Sequence, residues 1–260
     1  MRIITVINAK GGCGKSTIAM NLAAGLAGQG GKTLLIDMDP QAQITQWVKA
    51  GDGLTSDGTL VRVMAGHQSL PQIIQPTPIQ NLLFVASAEG LEELGRQITD
   101  HETYATILAR SLASEELKDI NFVVIDSPNQ ISPIMENAIF PTDVFIVPFE
   151  STKAVRSYAN FYKLLVRLRP EPDYHILHVM SNLTRQSGLR QRVIEIMDSD
   201  GIQRAKTEVR SCGWLAQVDE HGGSIFHYRP HSNGAADMAS LLDEVLAVLG
   251  YQREPLAIPA

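Results

Sequence analysis

The chain has 260 residues, of which 44% are hydrophobic and 19% charged, with a formal net charge of −6 at pH 7. This composition is typical of an ordinary globular protein, and a chain of this length buries most of its apolar surface without disulfide staples. The acidic balance excludes a polycation, so any contact with nucleic acid must use a local basic patch.

The two cysteines, Cys13 and Cys212, are too few for a disulfide framework and are typical of a reducing compartment. No apolar run approaches the ~18 residues of a membrane span. The amino-terminal apolar run is short and is interrupted at Asn8, unlike the apolar region of a signal peptide. We therefore expect a cytoplasmic protein.

Apolar strands alternate with helices from the first residues onward. In chain order, the predicted strands are Arg2–Asn8, Thr33–Asp37, Asn81–Ala86, Phe122–Asp126, Val144–Pro148 and Tyr174–Met180. The predicted helices are Ser16–Gly28, Gln41–Ala50, Glu102–Leu117, Ser151–Leu168, Ser187–Met197 and Asn233–Leu249. The polar, Gly-rich segment Gly51–Gly58 is predicted to be a loop.

Wholly apolar strands between helices indicate an α/β fold with a doubly wound, mostly parallel sheet and helices on both faces. The sequence has no linker or internal repeat, so we expect one domain over residues 1–250 and a flexible tail over 251–260. Ligands of such sheets bind at the carboxyl ends of the strands. Asn8–Ser16, Asp37–Asp39, Asp126 and Asn182 are all predicted to lie there.

The first strand and helix are joined by Lys10-Gly11-Gly12-Cys13-Gly14-Lys15-Ser16, followed by Thr17, which is the context of a phosphate-binding loop. Glycines let backbone N–H groups turn inward around phosphate oxygens, and the helix amino terminus adds its dipole. Lys15 is placed to reach the β- and γ-phosphates of ATP, and the Ser16 hydroxyl to bind Mg²⁺. Ala9 stands where the generic pattern begins with glycine, so the loop is a variant form. The alternative is a glycine-rich turn without a ligand.

That variant resembles the deviant Walker motif of the ParA/MinD family of positioning ATPases. Asp37-Met38-Asp39-Pro40-Gln41 is similar to the second motif of the family, and Val123-Val124-Ile125-Asp126-Ser127-Pro128 is similar to its Walker B strand. The resemblance runs from Met1 to about Leu249 and is strongest to the short ParA-type partition ATPases. It implies a P-loop NTPase fold and an ATPase that is slow unless stimulated.

The resemblance also implies a role for each matching residue. Lys10 would reach the partner's phosphates across a nucleotide-sandwich dimer, as an arginine finger does. Asp39 would orient the attacking water, and Asp37 and Asp126 would hold Mg²⁺ largely through its waters. Asn182 would read the adenine. The alternatives are that the acids cap helices after buried strands and that the asparagine belongs to a turn.

The sequence leaves the roles of three residues near these motifs open. Asn129 stands where the family usually has a second proline after Walker B, which puts the local switch geometry in doubt. Cys13 is a filler residue or, beside a lysine and a helix amino terminus, a redox-sensitive thiol. Lys153 follows a strand end and lies near the nucleotide, the dimer seam or neither.

Members of this family bind either DNA or membrane in their ATP state. The segment Ala235–Leu249 carries Asp237, Asp243 and Glu244 and no Lys or Arg, so we expect no membrane-surface helix.

The family places DNA-binding arginines in the last third of the chain, which favours Arg210 and Arg229, with Arg185 and Lys206 nearby. A second basic stripe is predicted on the helix Ser151–Leu168. Each patch is alternatively a solvated face, and the stripe is alternatively a contact with the partner subunit or an activator. The stripe residues are Lys153, Arg156, Asn160, Lys163 and Arg167.

The implied function is that of a nucleoid-associated ATPase that dimerises with ATP, binds DNA without sequence preference, and hydrolyses ATP when a cargo-bound activator, a ParB-like or adaptor protein, stimulates it. The cargo stays open among a plasmid, a chromosome, a protein microcompartment and a receptor cluster. The alternatives are a small-molecule P-loop kinase or amide-forming ligase, a membrane-associated MinD-like ATPase, and a nitrogenase-type reductase. The reductase would need two cysteines per subunit for an iron–sulfur cluster.

Overall fold

A computed structural model of the chain describes residues 1–48, 58–98, 101–184, 186–221 and 223–251. It contains an eight-stranded sheet in the order β3-β4-β2-β5-β1-β6-β7-β8. All neighbouring strands are parallel except β3, which pairs antiparallel with β4. The strands are β1 (Arg2–Val6), β2 (Thr33–Asp37), β3 (Gln75–Pro76), β4 (Leu82–Val85), β5 (Phe122–Asp126), β6 (Val144–Phe149), β7 (His175–Leu183) and β8 (Arg204–Arg210).

Helices cover both faces of this sheet. In chain order, they are α1 (Lys15–Gly28), α2 (Gln43–Val48), α3 (Leu60–Met64), α4 (Leu70–Ile73), α5 (Gly90–Gln97), α6 (His101–Ala105), α7 (Ile107–Leu112), α8 (Pro133–Ile139), α9 (Thr152–Leu168), α10 (Gly188–Ser199), α11 (Val218–His221), α12 (Ile225–Tyr228) and α13 (Asn233–Val248). Strand side chains alternate between the faces, because the side-chain period of a strand is two. On β5, for example, Val124 packs with residues of α1 and α13, whereas Val123 and Ile125 join the core under α3–α8.

The doubly wound fold class predicted from the sequence is confirmed. Thr33–Asp37 and Phe122–Asp126 have the predicted bounds, and the other predicted strands are matched within a few residues. The sequence analysis missed β8, which has charged residues at every second position, and the short elements β3, α3, α4, α8, α11 and α12. The predicted helix Gln41–Ala50 corresponds to α2, but residues 49–57, and with them most of the predicted loop, lie outside the described residues.

The predicted continuous helix Glu102–Leu117 is wrong, since the segment is divided into α6, α7 and a 3₁₀ turn at Glu115–Leu117. The break falls at Thr106, and beyond it the backbone N–H of Leu108 donates to Asn137 Oδ1 on α8, at 3.1 Å. A side chain from another helix thus takes an N–H group near the start of α7. Ser114, in an extended conformation, separates α7 from the 3₁₀ turn and accepts from the N–H of Glu116. Tertiary contacts therefore override the local helical pattern.

The carboxylates of α13 bond to the edge strand β8. Glu244 accepts hydrogen bonds from the backbone N–H groups of Lys206 and Thr207, at 2.8 and 2.9 Å. Asp237 accepts from the N–H of Arg210 at 3.0 Å. In the sequence analysis, these acids served only to argue against a membrane-surface helix. In the structure, they satisfy backbone donors of the edge strand.

The end of the predicted flexible tail lies outside the described residues, which stop at Tyr251. The ring of Tyr251 packs edge-on against Phe122, with centroids 5.3 Å apart. Over the described ranges, no helix has the length and apolar character needed to cross a membrane.

Candidate nucleotide-binding site

A cleft of about 620 Å³ opens at the carboxyl ends of the central strands. Its lining includes the loop that follows β1, together with Asp39 after β2 and Asn129 after β5. Ser181 and Asn182, in the last part of β7, line it as well. Because β1 lies between β5 and β6, the loop is at the centre of the sheet. The predicted site residues that follow different strands are thus brought to one cleft, as doubly wound sheets do.

The loop has the backbone conformation that an anion site requires. Gly12 and Gly14 have φ of +80° and +86°, a left-handed region that suits glycine. Gly14 precedes α1 without making a side-chain cap, so no side chain at that position occupies the N–H groups of the first turn. The loop is also tied to β7, because Ser181 Oγ donates to the carbonyl of Cys13 at 2.7 Å.

The two lysines of the loop have different surroundings. Lys15 is buried, and its Nζ donates to the carbonyl of Lys10 at 3.1 Å. The Lys10 side chain is 35% exposed, and its Nζ lies 2.5 Å from the carbonyl of Gly11 and 3.8 Å from Glu150 Oε1. Lys10 thus curls over its own loop in the single chain, whereas Lys15 is fixed beneath the loop.

Asp37 and Asp126 are cross-strand partners in the register of β2 and β5, and both are fully buried. Asp37 accepts hydrogen bonds from the N–H and hydroxyl of Thr45 and from the N–H of Asp39, at 2.7 to 3.1 Å. Burial nevertheless raises the pKa of Asp37 to about 7.

Asp126 has less compensation, since neither carboxylate oxygen has a well-aligned hydrogen-bond partner among the described residues. Burial raises the pKa of Asp126 first, and the adjacent Asp37 raises it further, while the nearby Lys15 and Ser16 lower it. A buried carboxylate that is only partly compensated is costly. This pair of acids beside the Ser16 hydroxyl therefore fits a Mg²⁺ ion held through its waters, because oxygen acceptors are what Mg²⁺ and its waters need.

Asp39 is held at the edge of the cleft by its backbone and by one carboxylate oxygen. Its Oδ1 accepts from the N–H of Gln41 at 3.0 Å, and its carbonyl accepts from Ser87 Oγ at 2.7 Å. The N–H of Ser87 donates to Thr45 Oγ1, whose hydroxyl bonds to Asp37. One network therefore connects both aspartates of the DxD segment to the end of β4.

The wall of the cleft farther from β5 combines polar and apolar side chains. Asn182 is exposed and has φ of +52°, a left-handed conformation that asparagine tolerates better than most residues. Leu215 and Val218 are buried apolar residues that also line this region. Cys13 is buried, and burial raises the pKa of its thiol, which favours the filler interpretation over a reactive thiolate.

The residues predicted to bind DNA fall in different places. Arg210 lines the nucleotide cleft, and its guanidinium makes a forked ion pair with Asp237, so its charge is already engaged. Arg229 is exposed and stacks 4.0 Å over the ring of Trp214, and Lys206 is exposed on β8. Arg185 lies outside the described residues.

The predicted stripe on α9 is a continuous exposed face. All five of its members are exposed, and Arg167 pairs with Glu136 at 3.0 Å. Within the described ranges, Lys153, Arg156 and Lys163 form no salt bridge. Ser151 caps this helix by accepting from the N–H of Ala154, as its position before the helix predicts.

The sequence analysis missed two residues that shape the cleft. Thr45 and Glu150 have no motif of their own, and only tertiary contacts bring them to the DxD segment and to Lys10. Asn129 was noted as a departure from the family pattern, and it lies at the cleft with its Nδ2 beside Gly11. Its half-buried amide replaces an apolar ring at that position.

These features define a doubly wound P-loop nucleotide-binding protein. A family model described as an AAA domain matches residues 1–171. The chromosome-partitioning ATPase Soj of Treponema pallidum is 31% identical over 150 residues, which are 57% of each chain. The sporulation initiation inhibitor protein Soj of Bacillus subtilis is 27% identical over 95% of this chain and 98% of its own. The chain belongs to the family of ParA-type partition ATPases.

Solved structures share the fold across nearly the whole chain. McdA of Cyanothece, solved in complex with ATP, has a TM-score of 0.82 at 21% identity and covers 98% of both chains. Cobyrinic acid a,c-diamide synthase of Mycobacterium smegmatis, solved with ADP and magnesium, has a TM-score of 0.79 at 20% identity and covers 100% of both chains. Because both classes share the fold, function must be argued from the residues of the cleft.

Proposed function

We propose that the protein binds ATP with Mg²⁺ in this cleft and hydrolyses it to ADP and phosphate. The observation that carries the proposal is a cleft lined by the P-loop and Asp39. The buried pair Asp37 and Asp126 lies at the adjacent ends of β2 and β5, with Asp126 beside Lys15 and Ser16 of the loop. Backbone N–H groups of residues 11–16 surround the phosphates, Lys15 reaches the β- and γ-phosphates, and Thr17 lies next to them at the start of α1. Asn182 contacts the base.

Ser16 would hold Mg²⁺ directly, and Asp37 and Asp126 would hold it through waters; the ion would supply positive charge that neutralises the phosphates. The protein supplies the positioning. Asp39 has one oxygen fixed by the N–H of Gln41, which orients the rest of the carboxylate for a water that attacks the γ-phosphate. The chain's own Lys10 turns back on its loop, so hydrolysis is slow until this lysine is supplied from elsewhere.

Lys10 of a second copy completes the site in a dimer formed around two ATP molecules. A cation that arrives in trans stabilises transition-state charge as an arginine finger does, and it makes hydrolysis depend on dimerisation. We propose that a cargo-bound activator, ParB-like or an adaptor, stimulates this step. The cycle would position or segregate a plasmid, a chromosome or a protein cargo.

The ATP-bound dimer holds duplex DNA without sequence preference, which would place it on the nucleoid. The exposed cations of α9, together with the exposed Arg229 and Lys206, are the candidate phosphate contacts. Arg210 is the weaker candidate, because releasing its guanidinium would leave the buried carboxylate of Asp237 without its ion-pair partner. Arg185 keeps its predicted role.

The decisive test measures binding of the protein to duplex DNA of arbitrary sequence with ATP and with ADP over a salt series. We expect binding with ATP only, and a loss of about a thousandfold in affinity between 50 and 200 mM salt if 6–10 phosphates are contacted. Lys15→Ala should abolish binding, and Lys32→Ala, which removes an exposed lysine outside the cleft, should not. Dimerisation with ATP but no DNA binding at any salt concentration would refute the DNA-binding part of the proposal while leaving the ATPase part intact.

A further inference from the structure

A second cavity lies at the opposite end of the sheet from the nucleotide cleft. It measures about 870 Å³ and opens between α9 and the amino-terminal parts of β7 and β8. Ile176 and His178 of β7, Tyr158 and Tyr162 of α9, and the loop before β8 line it. Its volume is within the range of small-molecule sites, which is about 300–1,000 Å³.

An irregularity in the sheet borders this cavity. In the pairing of β7 with β8, His178 is opposite Arg204 and Met180 is opposite Glu208, so β7 advances two residues while β8 advances four. Extra residues in one strand bend it and interrupt the ladder, and such bulges re-aim side chains beside binding sites. The extra residues lie in the stretch of β8 that lines the cavity.

His178, one of the residues that line this cavity, has a hydrogen-bond acceptor that no group in the described part of the chain uses. The residue is only 9% exposed, and its Nδ1 lies 2.9 Å from the carbonyl oxygen of Gln203. A carbonyl only accepts, so Nδ1 carries the proton and Nε2 of the neutral ring carries a lone pair. Nε2 is buried and has no hydrogen-bond partner among the described residues. A buried polar atom left in this state needs a donor from outside the chain.

The walls around this acceptor are aromatic. The ring of Tyr158 stands edge-on to the imidazole with centroids 4.8 Å apart, and Phe149 lies parallel to the imidazole behind it. Tyr162 neighbours Tyr158 at 5.7 Å and is 45% exposed. An exposed tyrosine at a cavity mouth offers a flat face for a planar ligand.

Most charged side chains of the cavity lining already have a partner within the chain. Arg204 pairs with Asp198, and the carboxylate of Glu244 accepts two backbone N–H groups of β8. Asp200 accepts from the hydroxyl of Ser199. Lys206, the remaining cation of the lining, makes no salt bridge within the described ranges, so its ammonium can serve an anion of the ligand.

We propose that this cavity is a second ligand site that takes a nucleoside monophosphate. A ring N–H or amino group of the base donates to His178 Nε2, the base lies against Tyr162 and the edge of Tyr158, and the phosphate meets Lys206. A flat ring, a hydrogen-bond donor and an anion are the three features that the cavity complements, and a nucleotide combines them in one molecule of suitable size. This site is separate from the P-loop cleft and does not depend on the chain being an ATPase.

The test uses the full chain with its P-loop cleft saturated by ADP and Mg²⁺. AMP, GMP, CMP and UMP are titrated separately by isothermal calorimetry, and ligand-observed NMR reports weak binders. At least one monophosphate should bind with a dissociation constant below about 1 mM. Tyr162→Ala should weaken that binding about tenfold, since stacking on an aromatic side chain is lost.

Val166→Ala is the matched control, because Val166 is 41% exposed one turn farther along α9 and lies outside the cavity lining. It should leave binding unchanged. His178→Phe keeps a ring of similar size without the acceptor and should weaken binding to a comparable extent. Its melting temperature and its ADP affinity at the P-loop report whether the fold survives, and Tyr162→Ala tests the site if it does not. Failure of all four monophosphates to bind at millimolar concentration would overturn the proposal, as would binding that Tyr162→Ala leaves unchanged.

Discussion

The buried acids at the carboxyl end of the sheet and the exposed cations along α9 hold charge in opposite ways. Asp37 and Asp126 are fully buried side by side, and their pKa values are raised because water is excluded from them. Lys153, Arg156 and Lys163 stand in solvent without salt bridges inside the described ranges. Burying the two acids costs on the order of several kcal/mol, whereas leaving the cations in solvent costs close to nothing.

Buried acids and exposed cations therefore differ in what they indicate about function. A buried acid that destabilises the folded chain points to a bound cation, because burial without a partner is otherwise selected against. An exposed basic stripe carries no such cost and is equally compatible with solvent. The acids therefore support a function by themselves, whereas the stripe supports one only together with a measured salt dependence.

The largest expected effect comes from Lys10, which we propose acts on the ATP bound to the partner subunit. Lys10→Ala should retain ATP binding and lower activator-stimulated hydrolysis about a thousandfold, as loss of an arginine finger does. Steady-state phosphate release measures this. Lys32→Ala is the matched control.

A mixing experiment separates action in trans from action in cis. Lys10→Ala and Asp39→Ala should each be inactive alone, but their heterodimer has one site with an intact Asp39 and a Lys10 from the neighbour. An equimolar mixture should recover roughly a quarter of the normal activity if the finger works in trans. No recovery, with heterodimers demonstrated, would show that Lys10 acts within its own chain.

The next effect concerns Asp39, which we propose orients the attacking water and does not hold Mg²⁺. Asp39→Ala should lower hydrolysis about a hundredfold while ATP-dependent dimerisation persists, because it removes water positioning and leaves the phosphate contacts. Single-turnover hydrolysis and light scattering measure the two properties. Asp119→Ala, at an exposed acid before β5, should change neither. Loss of ATP binding in Asp39→Ala would assign Asp39 to the metal site instead.

Asp126→Asn tests the cost of burying the acids. The neutral amide removes a buried charge and can donate to Asp37, so unfolding without nucleotide should require about 1–3 kcal/mol more free energy. Hydrolysis with Mg²⁺ should be lost in the same variant. Chemical denaturation with EDTA measures the first effect, and Asp119→Asn is the control. A destabilised Asp126→Asn would mean that a partner inside the fold already compensates the carboxylate.

The smallest effect is expected on α9. Arg156→Ala with Lys163→Ala should weaken DNA binding about tenfold at low salt and reduce the salt slope by about 2, if both contact phosphates. Fluorescence anisotropy with labelled duplex DNA measures both. The double variant Lys32→Ala with Lys118→Ala removes the same charge from exposed positions off the stripe. If the two double variants weaken DNA binding equally, the effect comes from net charge, and α9 has no specific role in DNA binding.

The sequence predicted the central strands and the phosphate loop because these are specified locally. Apolar runs such as Leu34–Ile36 are compatible only with a sheet that is covered on both faces, and the glycines of residues 11–14 determine the turn of the phosphate loop. Thr45 and Glu150 were not predictable in this way, because their roles come from contacts with residues that are distant in the chain. The basic stretch containing Lys206 and Arg210 was read as a patch and is an edge strand. Its polar alternation fits a strand only once the acids of α13 are known to lie beside it.

The hydrogen bonds from Glu244 and Asp237 to β8 also affect how the protein meets its own copies. An open sheet edge is a template on which further strands add without limit. Carboxylates that occupy the N–H groups of Lys206, Thr207 and Arg210 deny that template to a neighbouring chain. The β8 edge is therefore protected against the addition of a strand from a neighbouring copy, even at high local concentration.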